Sequence, residues 1–323
     1  MRVLVSGGAG YVGSVSVEQL VAAGHHVVVL DSLVTGHRDG VTAGASLNVG
    51  TLGDREGLIA LLRDHEIEAV LHCAARSLVS QSMRDPGLYY AENVVNGIGL
   101  LDALRETGVD RIVFSSTAAV YGEPEKVPIR ETAPTLPVNP YGASKLAFEG
   151  AMGWYSAYGL RSVSLRYFNV AGASERFGER HDPETHLIPN LLSAARGGPE
   201  LTVFGDDYPT ADGTAIRDYI HVLDLADAHL SALEMTERME PRTLICNLGS
   251  GTGFSVKQVL DTARQVVGRP IPHRYGPRRA GDPPVLVASN DRAREVLGWQ
   301  PTRGSLEEMI GSAWQRLERD AAG

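Results

Sequence analysis

Arg2-Val3-Leu4-Val5-Ser6 runs straight into Gly7-Gly8-Ala9-Gly10-Tyr11-Val12-Gly13, after which Ser14 to Ala23 carries a helical pattern. A β-branched run, a glycine turn and a helix, in that order, predict a strand that hands the chain to a helix N-terminus. The glycines permit a tight turn and a close backbone approach, and the unpaired N–H groups of the first helical turn suit an anion such as a pyrophosphate. A glycine turn alone is weak evidence. His25-His26-Val27-Val28-Val29-Leu30-Asp31 strengthens it, because this second strand ends in an acid about twenty residues on, placed to accept both hydroxyls of an adenosine ribose. A carboxylate there repels a 2′-phosphate, so the pattern predicts NAD over NADP, with His37 and Arg38 leaving some room for the phosphorylated form.

The alternation continues outward. Ser46 to Val49, Glu68 to Ala75, Arg111 to Ser116 and Arg161 to Val170 read as strands, with helices over Arg55 to His65 and Leu88 to Thr107. Strands alternating with helices predict an α/β fold, a Rossmann-type doubly wound parallel sheet with ligand at the carboxyl ends of its strands. Residues 1–172 are assigned to this dinucleotide-binding domain. Beyond Gly172, polar and proline-bearing segments (Ala173 to Pro189, Gly205 to Gly213) break the regular repeat, and residues 173–323 are assigned to a smaller C-terminal α/β domain. That boundary is soft, since Asp218 to Val222 and a helix from Leu223 to Met235 have the pattern of a return to the first domain.

Bulk properties narrow the class. A chain of 323 residues buries a substantial core. Its net charge of −9, with no long basic run, argues against a nucleic-acid surface while leaving room for a local basic site. Cys73 and Cys246 each sit in an apolar run and make no disulfide framework, so buried thiols in a reducing compartment are the simplest account. The N-terminus opens into a strand-like run without the longer apolar stretch of an export signal or membrane span, which predicts a cytoplasmic protein.

The chemistry is carried by Tyr141-Gly142-Ala143-Ser144-Lys145, read with Ser115-Ser116-Thr117 upstream. Four apart on a helix, Tyr141 and Lys145 share one face, so the ammonium can sit beside the phenol and favour its ionised form. A free phenol titrates near ~10. Acting as a base at neutral pH demands a large downward shift, which Lys145 and a positive nicotinamide ring would supply together, with Thr117 relaying the proton. A tyrosine and lysine at this spacing are more often surface residues, but a surface helix does not account for the glycine turn and Asp31 upstream.

With these elements in place and in order, the sequence resembles the extended short-chain dehydrogenase/reductases. Further on, Arg166-Tyr167-Phe168-Asn169, His186-Leu187-Ile188-Pro189, Phe204 to Thr210, Gly213 to Val222 and Arg278-Arg279-Ala280-Gly281-Asp282 are similar to the UDP-glucose (UDP-galactose) 4-epimerases within that family. The likeness runs nearly end to end. It implies a redox-neutral inversion in which Tyr141 takes the proton of the sugar's 4-hydroxyl while a tightly held NAD+ takes hydride from C4. The 4-keto sugar turns over, hydride returns to its other face, and Tyr141 gives the proton back. The resemblance implies a catalytic set of Tyr141, Lys145 and Thr117, with no resident metal. It implies NAD contacts at Gly7, Gly10, Tyr11, Val12, Gly13, Asp31, Ser32, Leu33, Thr35, Gly36, Thr51, Leu52, Cys73, Ala74, Ala75, Ser77, Asn93, Ser115, Tyr141, Lys145 and Phe168. It implies UDP-sugar contacts at Thr117, Tyr141, Asn169, His186, Leu187, Thr202, Phe204, Arg217, Tyr219, Arg279, Asp282 and Leu286. Asn169 matches a diphosphate contact, Leu187, Thr202 and Phe204 a uridine wall, and Arg217, Arg279 and Asp282 the phosphate and ribose contacts. The planar fork of arginine meets phosphate oxygens two at a time. The C-terminal domain would then bind the UDP-sugar, and the helix ending at Thr107 would join the Lys145 helix in a homodimer.

Several positions depart from the commonest family pattern. Thr51 stands where an Asp often meets adenine, Ser77 where many relatives carry a lysine, Glu92 where an Asn often precedes Asn93, and Thr117 in place of the Ser of some members. Leu286 replaces a large Tyr that restricts the sugar pocket in some members, which leaves N-acetylated sugars open. Epimerisation of UDP-N-acetylglucosamine, UDP-glucuronate or UDP-xylose is therefore an alternative. Nucleotide-sugar 4,6-dehydration needs an Asp-Glu pair after the strand-end Thr, where this chain has Thr117-Ala118-Ala119. A silent NAD-binding regulator commonly loses the Tyr or the Lys, and both are present. For Arg217 the plain alternative is an ion pair with Asp218. His181-Asp182-Pro183-Glu184-Thr185-His186 contains a proline and lacks a third spaced ligand, so it is read as a polar loop and not a metal site. Tyr89 and Tyr90 are read as packing.

Overall fold

The computed structural model describes residues 1–279 and 282–322, so Ala280 and Gly281 of the last UDP-sugar motif lie outside the described residues, as does Gly323. β1 (Arg2–Ser6) passes through the glycine turn to α1 (Tyr11–Ala22), followed by β2 (His26–Asp31), β3 (Ala45–Val49), α2 (Arg55–Asp64) and β4 (Ala69–His72). Two short helices, α3 (Val79–Arg84) and α4 (Pro86–Tyr90), precede α5 (Asn96–Thr107), β5 (Arg111–Thr117), α6 (Pro140–Tyr155) and β6 (Arg161–Tyr167). The helix expected from Leu88 starts two residues earlier, at Pro86, where Asp85 caps it by accepting the Leu88 N–H. It is interrupted by a π turn over Ala91–Val95. A hydrophobic period read over a whole helix averages out a single wide turn, so the insertion left no mark in the pattern.

The strand expected to run from Arg161 to Val170 is two strands. It breaks at Phe168, and β7 (Asn169–Ala171) leaves the main sheet to pair with β10 (Tyr219–His221). Between those two lie α7 (Leu187–Ala195), β8 (Leu201–Phe204) and β9 (Ile216–Arg217). After β10 come α8 (Val222–Arg238), β11 (Thr243–Leu248), β12 (Phe254–Ser255), α9 (Val256–Val267), β13 (His273–Gly276), β14 (Val285–Leu286), α10 (Asp291–Leu297) and α11 (Leu306–Ala322).

The central sheet has seven strands in the order β11-β6-β5-β4-β1-β2-β3, every neighbouring pair parallel. This is the doubly wound α/β arrangement, and alternate residues of β1 feed its two faces. Val3 and Val5 pack with Val17 and Leu20 of α1 and with Leu225, Ala228 and Leu233 of α8. Leu4 packs on the other face with Leu58 of α2, Leu100 of α5 and Phe148 of α6. Strands covered on both faces need apolar residues at every position, which is why β1 reads as a continuous hydrophobic run. The return to the first lobe goes further than residue 235. β11 pairs with β6, and Trp299 donates its indole N–H to the Asp224 carbonyl at 2.9 Å. The second lobe has its own core, in which α7, α9 and α11 pack with Leu201 and Val203 of β8. Its sheets are small, β8 with β13 and β9 between β12 and β14.

One buried polar contact couples the sheet to α8. His229 is 0 % exposed, its Nε2 3.0 Å from the Ser115 hydroxyl and its Nδ1 3.2 Å from that of Ser16. Burial pushes its pKa down to about 3, and burial likewise takes His72 down to about 3 and His221 to about 4. These rings stay neutral in the folded chain but take a proton when unfolded below pH ~6.5, so stability falls as pH drops from ~6.5 toward the folded values. Replacing His229 with Gln is expected to flatten the dependence of unfolding free energy on pH, between about pH 6 and pH 4, by about 1.4 kcal/mol per pH unit. Urea unfolding at a series of pH values measures it, and an unchanged slope would show that His229 is not one of the proton-linked groups.

Candidate active site

The carboxyl ends of β1, β2, β4 and β5 border a single cleft of about 1200 Å³, closed on its far side by residues of α7, β8, β9 and β14. At the β1 turn the chain approaches itself closely. Gly7 has φ +76°, and a Cβ on it would lie 2.5 Å from the Ala74 nitrogen; one on Gly13 would lie 2.0 Å from the Gly7 carbonyl oxygen. Those two glycines are demanded by the protein's own packing. Gly10 is different, because a Cβ there would meet only the Gly7 oxygen at 3.5 Å. Its bare Cα borders open cleft at the N-cap of α1, with no side-chain acceptor for the first-turn N–H groups. A side chain would fill the cradle that a pyrophosphate needs.

Asp31 ends β2 with its carboxylate held from two directions. Oδ2 accepts the Ala9 N–H and Oδ1 the Leu33 N–H, both at 2.9 Å. Its remaining lone pairs can accept ribose hydroxyls, so the donor set of this end fits a dinucleotide without a 2′-phosphate.

All of the expected NAD and UDP-sugar contacts line the cleft except Leu33, Asn93 and Ser115. These three stand behind the wall. Leu33 contributes only its N–H to Asp31. Asn93 is buried, its Oδ1 accepting the Arg76 N–H at 2.8 Å and its Nδ2 donating to the Arg76 carbonyl and the Ser144 hydroxyl, both at 3.0 Å. It braces the loop after β4 against α6. Ser115 points away toward His229 and, at 3.3 Å, the Cys73 sulfur. The cleft also takes in Arg76, Tyr167, Glu179 and His181, none of them among the expected NAD or UDP-sugar contacts. Tyr167 was findable by its place at the carboxyl end of β6, whereas Glu179 and His181 reach the cleft through a loop whose course is set by tertiary packing.

Tyr141 and Lys145 sit on α6. Asn139 caps this helix by accepting the Gly142 N–H at 2.8 Å, with Pro140 at its first position, so Tyr141 falls in the first turn and Lys145 one turn on. Lys145 is buried. Its Nζ donates to the Ser115 carbonyl at 2.8 Å and lies 4.6 Å from the centre of the Phe114 ring. Burial pushes the ammonium down to about 8. The phenol does not move as its spacing from Lys145 suggests: burial pushes Tyr141 up to about 12, against a smaller downward pull from the Thr117 hydroxyl. Desolvation of a phenolate outweighs an ammonium that is directed at a backbone carbonyl.

At the opposite end, Arg217 pairs with Asp282 and not with Asp218. The latter is 0 % exposed and accepts the N–H and hydroxyl of Ser250, both at 2.7 Å, and the N–H groups of Gly251 and Ala288 at 3.1 and 2.9 Å. Arg279 lies 4.1 Å from the centre of the Phe204 ring, while Arg278 turns to Asp207 outside the cleft. At the rim, His181-Asp182-Pro183-Glu184-Thr185-His186 is a loop, and Glu179 joins it as the third ligand-type side chain that the six-residue stretch lacked. Both imidazoles are held above their ordinary value. For His181 the cause is the hydrogen bond to Glu179, and for His186 the glutamates outweigh burial.

The phenol's state is directly measurable. In cofactor-free protein, the alkaline ultraviolet difference spectra of the wild type and Tyr141→Phe should coincide below about pH 10, and an added oxidised nicotinamide should bring a phenolate band of the wild type to lower pH. A Tyr141-dependent band near neutrality without cofactor would show that Lys145 suffices alone.

The geometry agrees with the chain's relatives. A family model described as the NAD dependent epimerase/dehydratase family matches residues 3–249. A protein of Streptomyces lividans named UDP-glucose 4-epimerase is 53% identical, over 97% of this chain and 95% of its own. One of the same name from Lacticaseibacillus casei is 49% identical over 100% of this chain and 98% of its own. The crystal structure of UDP-glucose 4-epimerase from Bifidobacterium longum, in complex with NAD+ and UDP, superposes with a TM-score of 0.94 at 32% identity, covering 100% of both chains. A family match spanning most of the chain, and relatives this similar along their full length, leave one assignment: the chain belongs to the NAD dependent epimerase/dehydratase family.

Proposed function

We propose that the chain is an NAD-dependent 4-epimerase that interconverts UDP-glucose and UDP-galactose. One observation carries this reading: Asp31, the Tyr141 and Lys145 pair, and Arg217 with Arg279 all line the same cleft. When bound, NAD supplies a hydride acceptor for C4 of the sugar and, oxidised, a positive charge that brings the Tyr141 phenol down into working range. The remaining work belongs to the chain. Gly10 and the start of α1 receive the pyrophosphate, and Asp31 accepts the ribose hydroxyls. The Tyr141 oxygen takes the 4-hydroxyl proton and later returns it, with Thr117 alongside to orient the sugar and Lys145 to favour the phenolate. Arg217 and Arg279 hold the UDP phosphates, Asn169 lies beside them, and Leu187 and Phe204 wall the base. Nothing as strong grips the hexose, which leaves the keto sugar free to turn before it is reduced again. Leu286 on β14 presents an aliphatic side chain to the cleft, which favours tolerance of N-acetylated sugars.

We further propose a homodimer in the cytoplasm. Tyr90, Val95, Ile98 and Trp154 are exposed on the packed helices α4 to α6, with Trp154 81 % exposed, an apolar face suited to a second copy. Tyr89, by contrast, is wholly buried and donates to the Leu78 carbonyl at 2.5 Å. Cys73 and Cys246 are free, and among the described residues no helix is long and apolar enough to cross a membrane.

Incubated with UDP-galactose and no second oxidant, the purified protein should form UDP-glucose, and UDP-N-acetylgalactosamine should be converted as well. Tyr141→Phe should lower turnover on the order of 10²–10⁴-fold while NAD and UDP still bind. Turnover at the wild-type rate would remove the phenol from the mechanism, and no conversion of either sugar would point to another UDP-sugar or a silent binder. In sedimentation velocity, Trp154→Glu should shift the protein from dimer to monomer; a wild-type monomer would refute the interface.

A further inference from the structure

We propose that Glu179, His181 and His186 form a binding site for one divalent transition-metal cation of the zinc class. The loop that carries them runs between β7 and α7 at the mouth of the cleft. One ligand atom from each lies within 4.8 Å of the other two. His181 Nδ1 is 2.5 Å from one oxygen of Glu179, and His186 Nδ1 is 3.8 Å from the other, so a single carboxylate sits between two imidazoles. Glu184 lies 2.7 Å from the same Nδ1, as a hydrogen-bond partner of His186. Two imidazoles and one carboxylate are a zinc ligand set that water completes to a tetrahedron, in which bonds of about 2.0–2.2 Å leave neighbouring ligand atoms about 3.4 Å apart. The observed distances bracket that value. Side-chain adjustments of about an ångström, within a loop, close the site.

The surrounding charges favour a cation here. The side chains of Glu179 and Glu184 are only 12 % and 20 % exposed. Among the described residues, their only ion-pair partners are these two histidines. The arginines nearby in sequence are engaged elsewhere: Arg180 with Asp39 at 2.9 and 3.0 Å, Arg176 with the Thr42 hydroxyl at 3.0 Å. Both carboxylates are met by backbone N–H groups, Glu179 by those of Arg180 and His181 and Glu184 by those of Thr185 and His186, so at the imidazoles a metal ion would take the place of protons as the cationic partner. The site is also open to solution: Glu179, His181 and His186 all line the main cleft. The donor set excludes Mg²⁺, which prefers an all-oxygen octahedron, and selects ions that favour imidazole.

A filled site would staple the loop. Glu179 and His181 lie within it, while His186 is the N-cap of α7, the helix whose first residue, Leu187, walls the cleft. The loop's other attachments, the Arg180 carbonyl 3.3 Å from His37 Nε2 and the Arg180–Asp39 pair, reach back to the dinucleotide lobe. The ion would hold together the segments that border both halves of the cleft.

The test needs neither substrate nor turnover, so its outcome is separable from that of the proposed epimerase activity. Full-length protein dialysed against a chelator is titrated with ZnCl₂, CoCl₂ and MgCl₂ by calorimetry. Zn²⁺ should bind at one equivalent and raise the melting temperature, Co²⁺ should give the visible bands of a tetrahedral complex, and Mg²⁺ should not bind. Glu179→Gln, His181→Ala and His186→Ala should each weaken Zn²⁺ roughly tenfold or more, while His26→Ala, remote from the loop, should not. Glu179→Gln is close to isosteric and guards against loss of fold. Absence of saturable Zn²⁺ binding, or one-equivalent binding that survives all three substitutions, would overturn the assignment.

Discussion

The buried pair of Glu149 and Arg166 fixes the position of α6, the helix that carries Tyr141 and Lys145. The side chains of the pair are 3 % and 4 % exposed and meet at 2.5 Å, with a second contact at 3.0 Å from the arginine Nε. Desolvating two such ions costs several kcal/mol each, and the attraction offsets it only when the remaining polar atoms are also satisfied. Here they are. The Ser116 hydroxyl donates to Glu149 at 2.5 Å; Arg166 donates to the Tyr121 oxygen at 2.9 Å, which in turn donates to Asn247 at 2.7 Å. One network thus ties α6 to β5, β6 and β11. Lys145 lies one turn before Glu149 on the same helix, so the ammonium and the phenol beyond it are held at the carboxyl edge of the sheet by charges that take no part in the reaction.

What could be read from the sequence depended on how local its cause was. The glycine turn, Asp31 and the spacing of Tyr141 and Lys145 follow from periodicities of a strand or a helix, and each landed at the cleft. Cooperation between segments was harder to read. Leu33 through its backbone N–H, and Asn93 and Ser115 through their side chains, support cleft residues, a role fixed by tertiary contacts and not by motif. The neighbour of Arg217 in sequence, Asp218, faces the opposite way because adjacent residues of an extended strand point to opposite sides, which placed Asp282 as the true partner. The phenol's proton affinity is a related case: a spacing rule gives the distance to Lys145 but not the loss of water around Tyr141.

At both ends of the cleft the polar side chains already have partners. Asp31 is held by two backbone N–H groups, Arg217 by Asp282, and Arg279 by the face of Phe204. Groups already held in place lose little freedom on binding, so more of their interaction energy appears as affinity. Tyr141 and Lys145 are set differently. Burial holds the Lys145 ammonium down to about 8 and the Tyr141 phenol up to about 12, so the ligand-free chain keeps this phenol neutral near neutral pH.

Leu286 is held in place by its main chain. Its carbonyl accepts the Asp218 N–H at 2.9 Å, and β14 runs parallel to β9 with Leu286 opposite Arg217. The buried Asp218 carboxylate then knots residues 250, 251 and 288 around the same spot. None of these bonds uses the leucine side chain. The fold therefore fixes this position through a main-chain carbonyl that any residue would offer, whereas the side chain packs beside Val120, Tyr121 and Phe168, so an exchange here is tolerated by the backbone and felt by that cluster.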